Sequence, residues 1–371
     1  MKVKTEYLIP GCILNEDVYK STNIPLLKKK TILTDKLISI LHIFLIQTVN
    51  VENKLVDGSF YKPEEVIEED VLIPEEPAIK EESRFISVFL QAVQKYKKLF
   101  LNWQSGSKVD LNVIRKEFIP LLRLSPSKEE MLDLHHYGSK NDYHYYHAVA
   151  VAVLSVSLGR KYNLSEGELI QLGLSALLAD CGMARLPYNV YGQQGPLTSE
   201  EYNEVRKHPL LGYKMLEGIP GLTKAALLGV LQHQEREDGS GYPLKTKGKK
   251  IHLYAKIIMV CDMYHAMTSE RCYRAKQSPY RVLESISKDN FGKIDHYCLQ
   301  QFIQLISNLS IGVKVRLNNG WIGTIIYIDE SVPMRPLLQV ENNEMINLLN
   351  YSDLYIEQQL GEEESNLSPK V

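Results

Sequence analysis

Three imidazoles and two carboxylates stand on, or at the ends of, apolar helical stretches in the middle of this 371-residue chain. His147 opens HAVAVAVLSVSLGRKY, Asp180 closes ELIQLGLSALLAD, His208 lies in VRKHPLLG, His233 in LLGVLQHQERE and Asp262 in IIMVCDMY. Each alone has an ordinary reading. A lone core histidine is usually just hydrogen-bonded, and Asp180 as a helix-end carboxylate can be satisfied by backbone or a hydroxyl. It cannot be left stranded, because burying an unpaired charge is costly. Together the five form a mixed nitrogen and oxygen donor set suited to Mn, Fe, Zn or related divalent ions. A carboxylate can also bridge two ions, which then clamp and polarise a phosphoryl group.

Helices must hold these side chains, and from about Phe85 to Ser307 apolar residues recur at helical three- and four-residue intervals. Ser165 with Glu168 and Thr198 with Glu201 have capping-box spacing. The flanks differ. Residues 1–60 carry short strand-like runs (EYLIPGCIL, TVNVE) around one apolar helix, DKLISILHIFLI, and read as a small α/β module. Residues 61–84 form a linker: KPEEVIEEDVLIPEEPAIKEE has nine acidic residues, two lysines and three prolines, so it has little to bury and its charges repel. Residues 85–139 read as a helical connector. From about 308 to 358 the period becomes two, with GVKVRLNNGWIGTIIYI turning at Asn319-Gly320, which predicts a small β module. The tail, 359–371, is expected to be disordered.

Bulk properties exclude some partners. A net charge of -2 gives no argument for a DNA or RNA partner, whose polyanionic backbone usually selects a basic surface. Five scattered cysteines without paired spacing suggest reduced thiols and a cytoplasmic setting. The opening MKVKTEYLIPG lacks the apolar core of a signal peptide. The longest apolar run, Leu37 to Ile46, is about half of a spanning helix, so no membrane insertion is expected.

Over residues 140–307 the chain resembles the HD-GYP phosphodiesterases, a branch of the HD metal-dependent phosphohydrolases. EEYNEVRKHPLLGYKML, EDGSGYP and DMYHAMTSERCYR carry the resemblance in matching order and spacing. It implies a mainly α fold, an HD-type helical bundle flanked by the two small modules. It also implies hydrolysis of cyclic di-GMP or a related nucleotide at two or three metals. By position, His147, Asp180, His208, His233 and Asp262 are the implied ligands, with Asp180 bridging both metals as the central catalytic residue. Gly241, Tyr242 and Pro243 form the glycine-tyrosine-proline motif. Arg271 and Arg274 fall where the family contacts substrate phosphates, a task that guanidinium groups perform through paired hydrogen bonds.

The departures bear on activity. Where the family has His-Asp, an apolar residue, Gly and Lys, this chain has Ala179 for the histidine and Met183 for the lysine. Gln234 replaces the second of two adjacent histidines, and Tyr143 stands where three-metal members place a carboxylate. At most two ions are therefore expected, Fe or Mn by donor type, with three protein ligands each. His144, His265 or Gln234 could restore a coordination position. Two readings stay open: a cyclic di-GMP phosphodiesterase whose hydrolysis is weak or lost, or a non-catalytic descendant that binds nucleotide or a partner signalling protein through the GYP loop and the lysine-rich LKTKGKK beside it.

Overall fold

The computed structural model describes residues 1–19, 27–43, 46, 48–56, 59–61, 63, 81–138, 142–187, 197–269, 277–290, 292–307, 309–329, 331–340 and 343–360. The chain divides into two units, Met1–Ala78 and Ile79–Val371.

In the first unit β1 (Lys2–Lys4) precedes helix α1 (Asp35–Ile43), and β2 (Thr48–Asn50) pairs antiparallel with β1, Val3 opposite Val49. The strand expected over EYLIPGCIL is not continuous. A 3-10 turn at Thr5–Tyr7 and a further turn at Pro10-Gly11 break it, leaving only isolated bridges at Ile13 and Leu14. Val3, Leu8, Cys12, Leu14, Leu33, Leu41, Val49, Val51 and Tyr61 make a separate small core.

The second unit is helical, then β. Its helices are α2 (Glu81–Gln104), α3 (Leu111–Leu122), α4 (Lys128–Asp133), α5 (Tyr143–Lys161), α6 (Glu166–Leu177), α7 (Ser199–Val205), α8 (His208–Leu216), α9 (Lys224–Gln232), α10 (Leu253–Thr268), α11 (Pro279–Asp289) and α12 (His296–Ile306). Helix α2 starts at Glu81, inside the stretch read as linker, and most of that linker lies outside the described residues. Helix α5 has no polar face from His147 to Gly159, so it must be enclosed; α2, α6, α10 and α12 pack around it. Phe85, Phe89, Tyr96, Phe100 and Trp103 recur on one face of α2 and are buried. The capping boxes at Ser165 and Thr198 form as their spacing predicts, and Ser127 with Glu130 makes another.

Five strands follow: β3 (Lys314–Leu317), β4 (Ile322–Tyr327), β5 (Leu337–Val340), β6 (Met345–Asn347) and β7 (Ile356–Gln359). They form one antiparallel sheet in the order β6-β5-β4-β3-β7. The sheet runs past the boundary expected at 358, because Gln359 pairs with Val315 and the Leu360 N–H still donates to Lys314. Val315, Leu317, Ile325, Leu338, Ile346 and Ile356 join the apolar core of the helices. Buried Arg335 adds a polar tie: Nε donates to Glu284 of α11 at 2.7 Å, and Nη1 donates to the carbonyls of Leu348, Tyr351 and Leu354. Cys12, Cys181, Cys261 and Cys298 are buried free thiols. No described helix is long and apolar enough to cross a membrane.

Candidate metal centre

His208 is the first residue of α8 and His233 follows the last residue of α9. Each imidazole folds back so that Nδ1 donates to the carbonyl three residues earlier, Val205 or Val230, both at 2.7 Å. That bond fixes the tautomer and leaves an Nε2 lone pair facing inward. The two Nε2 atoms are 3.1 Å apart, and Asp180 Oδ1 lies 3.1 Å from one and 3.5 Å from the other. Three lone-pair atoms this close repel one another unless a proton or a metal cation lies among them. The donor set therefore fits a divalent ion.

Asp180 reaches this point because of the residue two places on. It ends the turn after α6, and the 3-10 turn Cys181–Arg185 packs directly on α8. A Cβ on Gly182 would lie 2.1 Å from the His208 carbonyl oxygen and 2.4 Å from the Gly212 nitrogen. Only glycine permits that approach.

The second group shares Asp180. His147 Nε2 is 2.8 Å from Asp262 Oδ1 and 3.9 Å from Asp180 Oδ2. Among the described residues two sets, Asp180 with His208 and His233, and His147 with Asp180 and Asp262, each bring their ligand atoms within 4.8 Å of one another. Behind His147, its Nδ1 meets Tyr143 Oη at 3.1 Å and His265 Nδ1 at 3.0 Å. Hydroxyl and imidazole can each donate or accept. They can therefore support His147 with its proton on Nε2, toward Asp262, or on Nδ1, leaving Nε2 free for a metal.

Electrostatics follow from this packing. Burial pushes the Asp180 carboxyl up, but hydrogen bonds and charge from His208 and His233 more than reverse it, holding the group well below the ordinary range. Burial likewise raises Asp262, and His147 brings it down overall. His233 is pushed down by burial and raised overall by Asp180.

Of the three residues considered as replacement ligands, Gln234 lies beside a candidate ligand, His265 behind one and His144 against α2. His265 lies behind His147, on its Nδ1 side. Gln234 Nε2 donates to Asp262 Oδ2 at 3.2 Å, so an amide abuts one of the candidate ligands. His144 turns toward α2, where its ring centre is 4.3 Å from that of Phe100, edge to face. Burial there lowers its pKa to about 3. Since an unfolded histidine titrates near 6.5, the unfolded chain binds more protons between these values. Stability is then full above about 6.5 and falls as pH descends toward 3. Between pH 6.5 and 5 the His144 contribution should fall by about 2 kcal/mol. Urea unfolding at the two pH values should show His144→Leu losing correspondingly less than the parent chain; equal losses would refute the assignment.

The GYP segment packs against His208. Tyr242 sits edge-on to His208, ring centres 6.2 Å apart, and burial followed by the charges of Asp262 and Asp180 raises its phenol pKa. The Tyr242-Pro243 peptide is cis. Fully buried Glu235 accepts the Leu244 and Thr246 amides at 2.7 and 3.0 Å, and Gln232 spans to the backbone of Lys250 and His252. A Cβ on Gly241 would lie 2.4 Å from Glu235 Cα, so the loop closes only over glycine. Glu235 and Gln232 escaped the sequence reading, although an acid and an amide flanking a candidate ligand were the available signal; Gly182 stood there only as a motif position. Arg271 and Arg274 lie outside the described residues.

The HD domain family model matches residues 127–297. The cyclic di-GMP phosphodiesterase PA4108 of Pseudomonas aeruginosa is 31% identical over 196 residues, 53% of this chain and 47% of that protein. The cyclic di-GMP phosphodiesterase PdeB of Borreliella burgdorferi is 29% identical over 208 residues, 56% of this chain and 55% of that protein. The chain thus spans about half the length of these curated relatives. Among solved structures, Bd1817, an HDG"Y"P protein from Bdellovibrio bacteriovorus, aligns over 82% of this chain and 99% of its own, with 13% identity and a TM-score of 0.45.

Proposed function

We propose, since this chain is an HD-GYP domain protein, that it binds cyclic di-GMP over a two-metal site and hydrolyses it more slowly than a member with the full ligand set. One observation carries the reading: the convergence of His208, His233 and Asp180 lone pairs within 3.1 to 3.5 Å, with His147 and Asp262 on the other side of the same carboxylate. His208 and His233 would hold one ion, His147 and Asp262 the other, and Asp180 both. Iron or manganese suits these donors. Ions held there supply Lewis-acid stabilisation of phosphoryl charge and a nucleophile at neutral pH.

The chain's own residues do the rest. Val205 and Val230 carbonyls orient two imidazoles, Tyr143 and His265 accommodate either proton position on His147, and Tyr242 packs edge-on against His208. Arg271 and Arg274 are the proposed phosphate contacts. Slowness follows from Ala179, which offers no donor, and from Gln234, an amide in place of an imidazole that donates to Asp262 Oδ2. Outer-shell losses alone cost about 10–100-fold in affinity or activity, and these positions are closer. The Gln234 contact also favours a second reading, a non-catalytic module that engages nucleotide or a partner signalling protein through the GYP loop, where Leu244 is 56% exposed. Buried free thiols fit a cytoplasmic setting.

Purification without oxygen, metal analysis and cyclic di-GMP turnover with Mn(II) or Fe(II) test this. Up to two ions per chain and slow turnover are expected, with the double variant Ala179→His, Gln234→His faster by about 10–100-fold. Absence of bound metal from the folded parent chain would overturn the site. A parent chain as fast as the double variant would overturn the weakening.

A further inference from the structure

Arg206 lies between α7 and α8, two residues before His208. Its guanidinium carbon is 4.9 Å from the centre of the Tyr242 ring and 5.9 Å from that of Tyr202. Neighbouring Lys207 pairs with Glu204. Arg206 has no such partner among the described residues, although it is only half-buried and belongs to a chain with more acids than bases.

Stacking on an aromatic face engages the flat side of a guanidinium and leaves its in-plane N–H groups free. It also orients that plane, so less freedom is lost when an oxyanion docks. The ring beneath Arg206 is the same one that stands edge-on to His208. An unpaired, oriented fork of donors is thus one aromatic ring away from the candidate metal ligands. At Met183, where the resemblance expects a cation, this chain has a buried thioether.

We infer that Arg206 is a substrate-binding residue, its guanidinium donating to a non-bridging phosphate oxygen of a cyclic dinucleotide while Tyr242 holds it in place. The inference rests on the phosphodiester reading above and adds to it a residue outside the motif arginines.

Equilibrium binding of cyclic di-GMP to the full chain, with metal per chain measured alongside, provides the test. Arg206→Met keeps the stem against the rings but removes the charge, and Arg206→Lys keeps the charge. The methionine variant should bind about 10–100-fold more weakly with unchanged metal content, since one charge-assisted contact is lost. Its binding should also depend less steeply on salt, and the lysine variant should recover part of the affinity. Parent-like binding by Arg206→Met would overturn the assignment while leaving the phosphodiester reading intact. So would a loss of metal in step with affinity, because Arg206 would then be supporting the metal site. A metal-loaded parent chain that binds no cyclic di-GMP would overturn both.

Discussion

Asp180→Ala should empty both metal positions and abolish any cyclic di-GMP turnover. The reason is arithmetic as much as chemistry. Each candidate group has three side chains and both count Asp180, so one substitution leaves two donors on each side. His208 and His233 would keep their inward lone pairs, held by Val205 and Val230, with no carboxylate to balance a divalent charge. Removing outer-shell partners costs about 10–100-fold in metal affinity, and a shared direct ligand should exceed that at both positions. Asp180→Asn keeps the shape but not the charge and should fail similarly. The check is metal per chain by elemental analysis, with circular dichroism to show that the fold persists. Two ions and unchanged turnover in a folded Asp180→Ala protein would remove Asp180 from the site.

Gly182→Ala should do comparable damage by a different route. The added methyl would sit 2.1 Å from one backbone atom and 2.4 Å from another, and no rotamer change can relieve a clash with main chain. The Cys181–Arg185 turn would have to lift from α8, carrying Asp180 away from His208. Overpacking typically costs about 1–3 kcal/mol and occasionally more; a backbone clash belongs at the upper end. Gly167→Ala supplies the control, because beyond its own helix backbone and chain neighbours no atom lies within 4 Å of its Cβ position in the first turn of α6. That change should be neutral or stabilising by up to about 1 kcal/mol. Urea unfolding of both variants, with metal content, separates the outcomes. A Gly182→Ala protein as stable and metal-replete as its parent would contradict the packing.

What could be read in the sequence was local or periodic. Ser165 and Thr198 announce helix starts because a capping box spans only three residues. The Asn319-Gly320 hairpin is legible because turn and alternation occur together. The five candidate ligands stand out as polar residues in apolar helices, and they converge. Their neighbours were less legible. His144 and His265 lie at helical spacing from His147 and Asp262, but spacing on one helix does not say which other helix it faces. Phe100 comes from α2 and Tyr143 from α5, far away in the chain, and these decide that one histidine joins an aromatic core and the other backs His147. Gly182 carries no periodic signal either, since its constraint is the backbone of α8. Pro10-Gly11 shows the reverse error: an apolar run suggested a strand where the chain turns.

The tie made by Arg335 limits how the polypeptide can be dissected. A fragment ending at Ser307 follows the change of periodicity and would keep all five candidate ligands. It would remove the guanidinium that meets Glu284 and uncover apolar side chains that rest on Val315, Ile325 and Ile356. Unsatisfied charge beside newly wetted hydrocarbon is a recipe for insolubility. The sheet is better regarded as the lid of the helical core than as a cargo it carries, and fusion or truncation designs should retain the chain through Leu360.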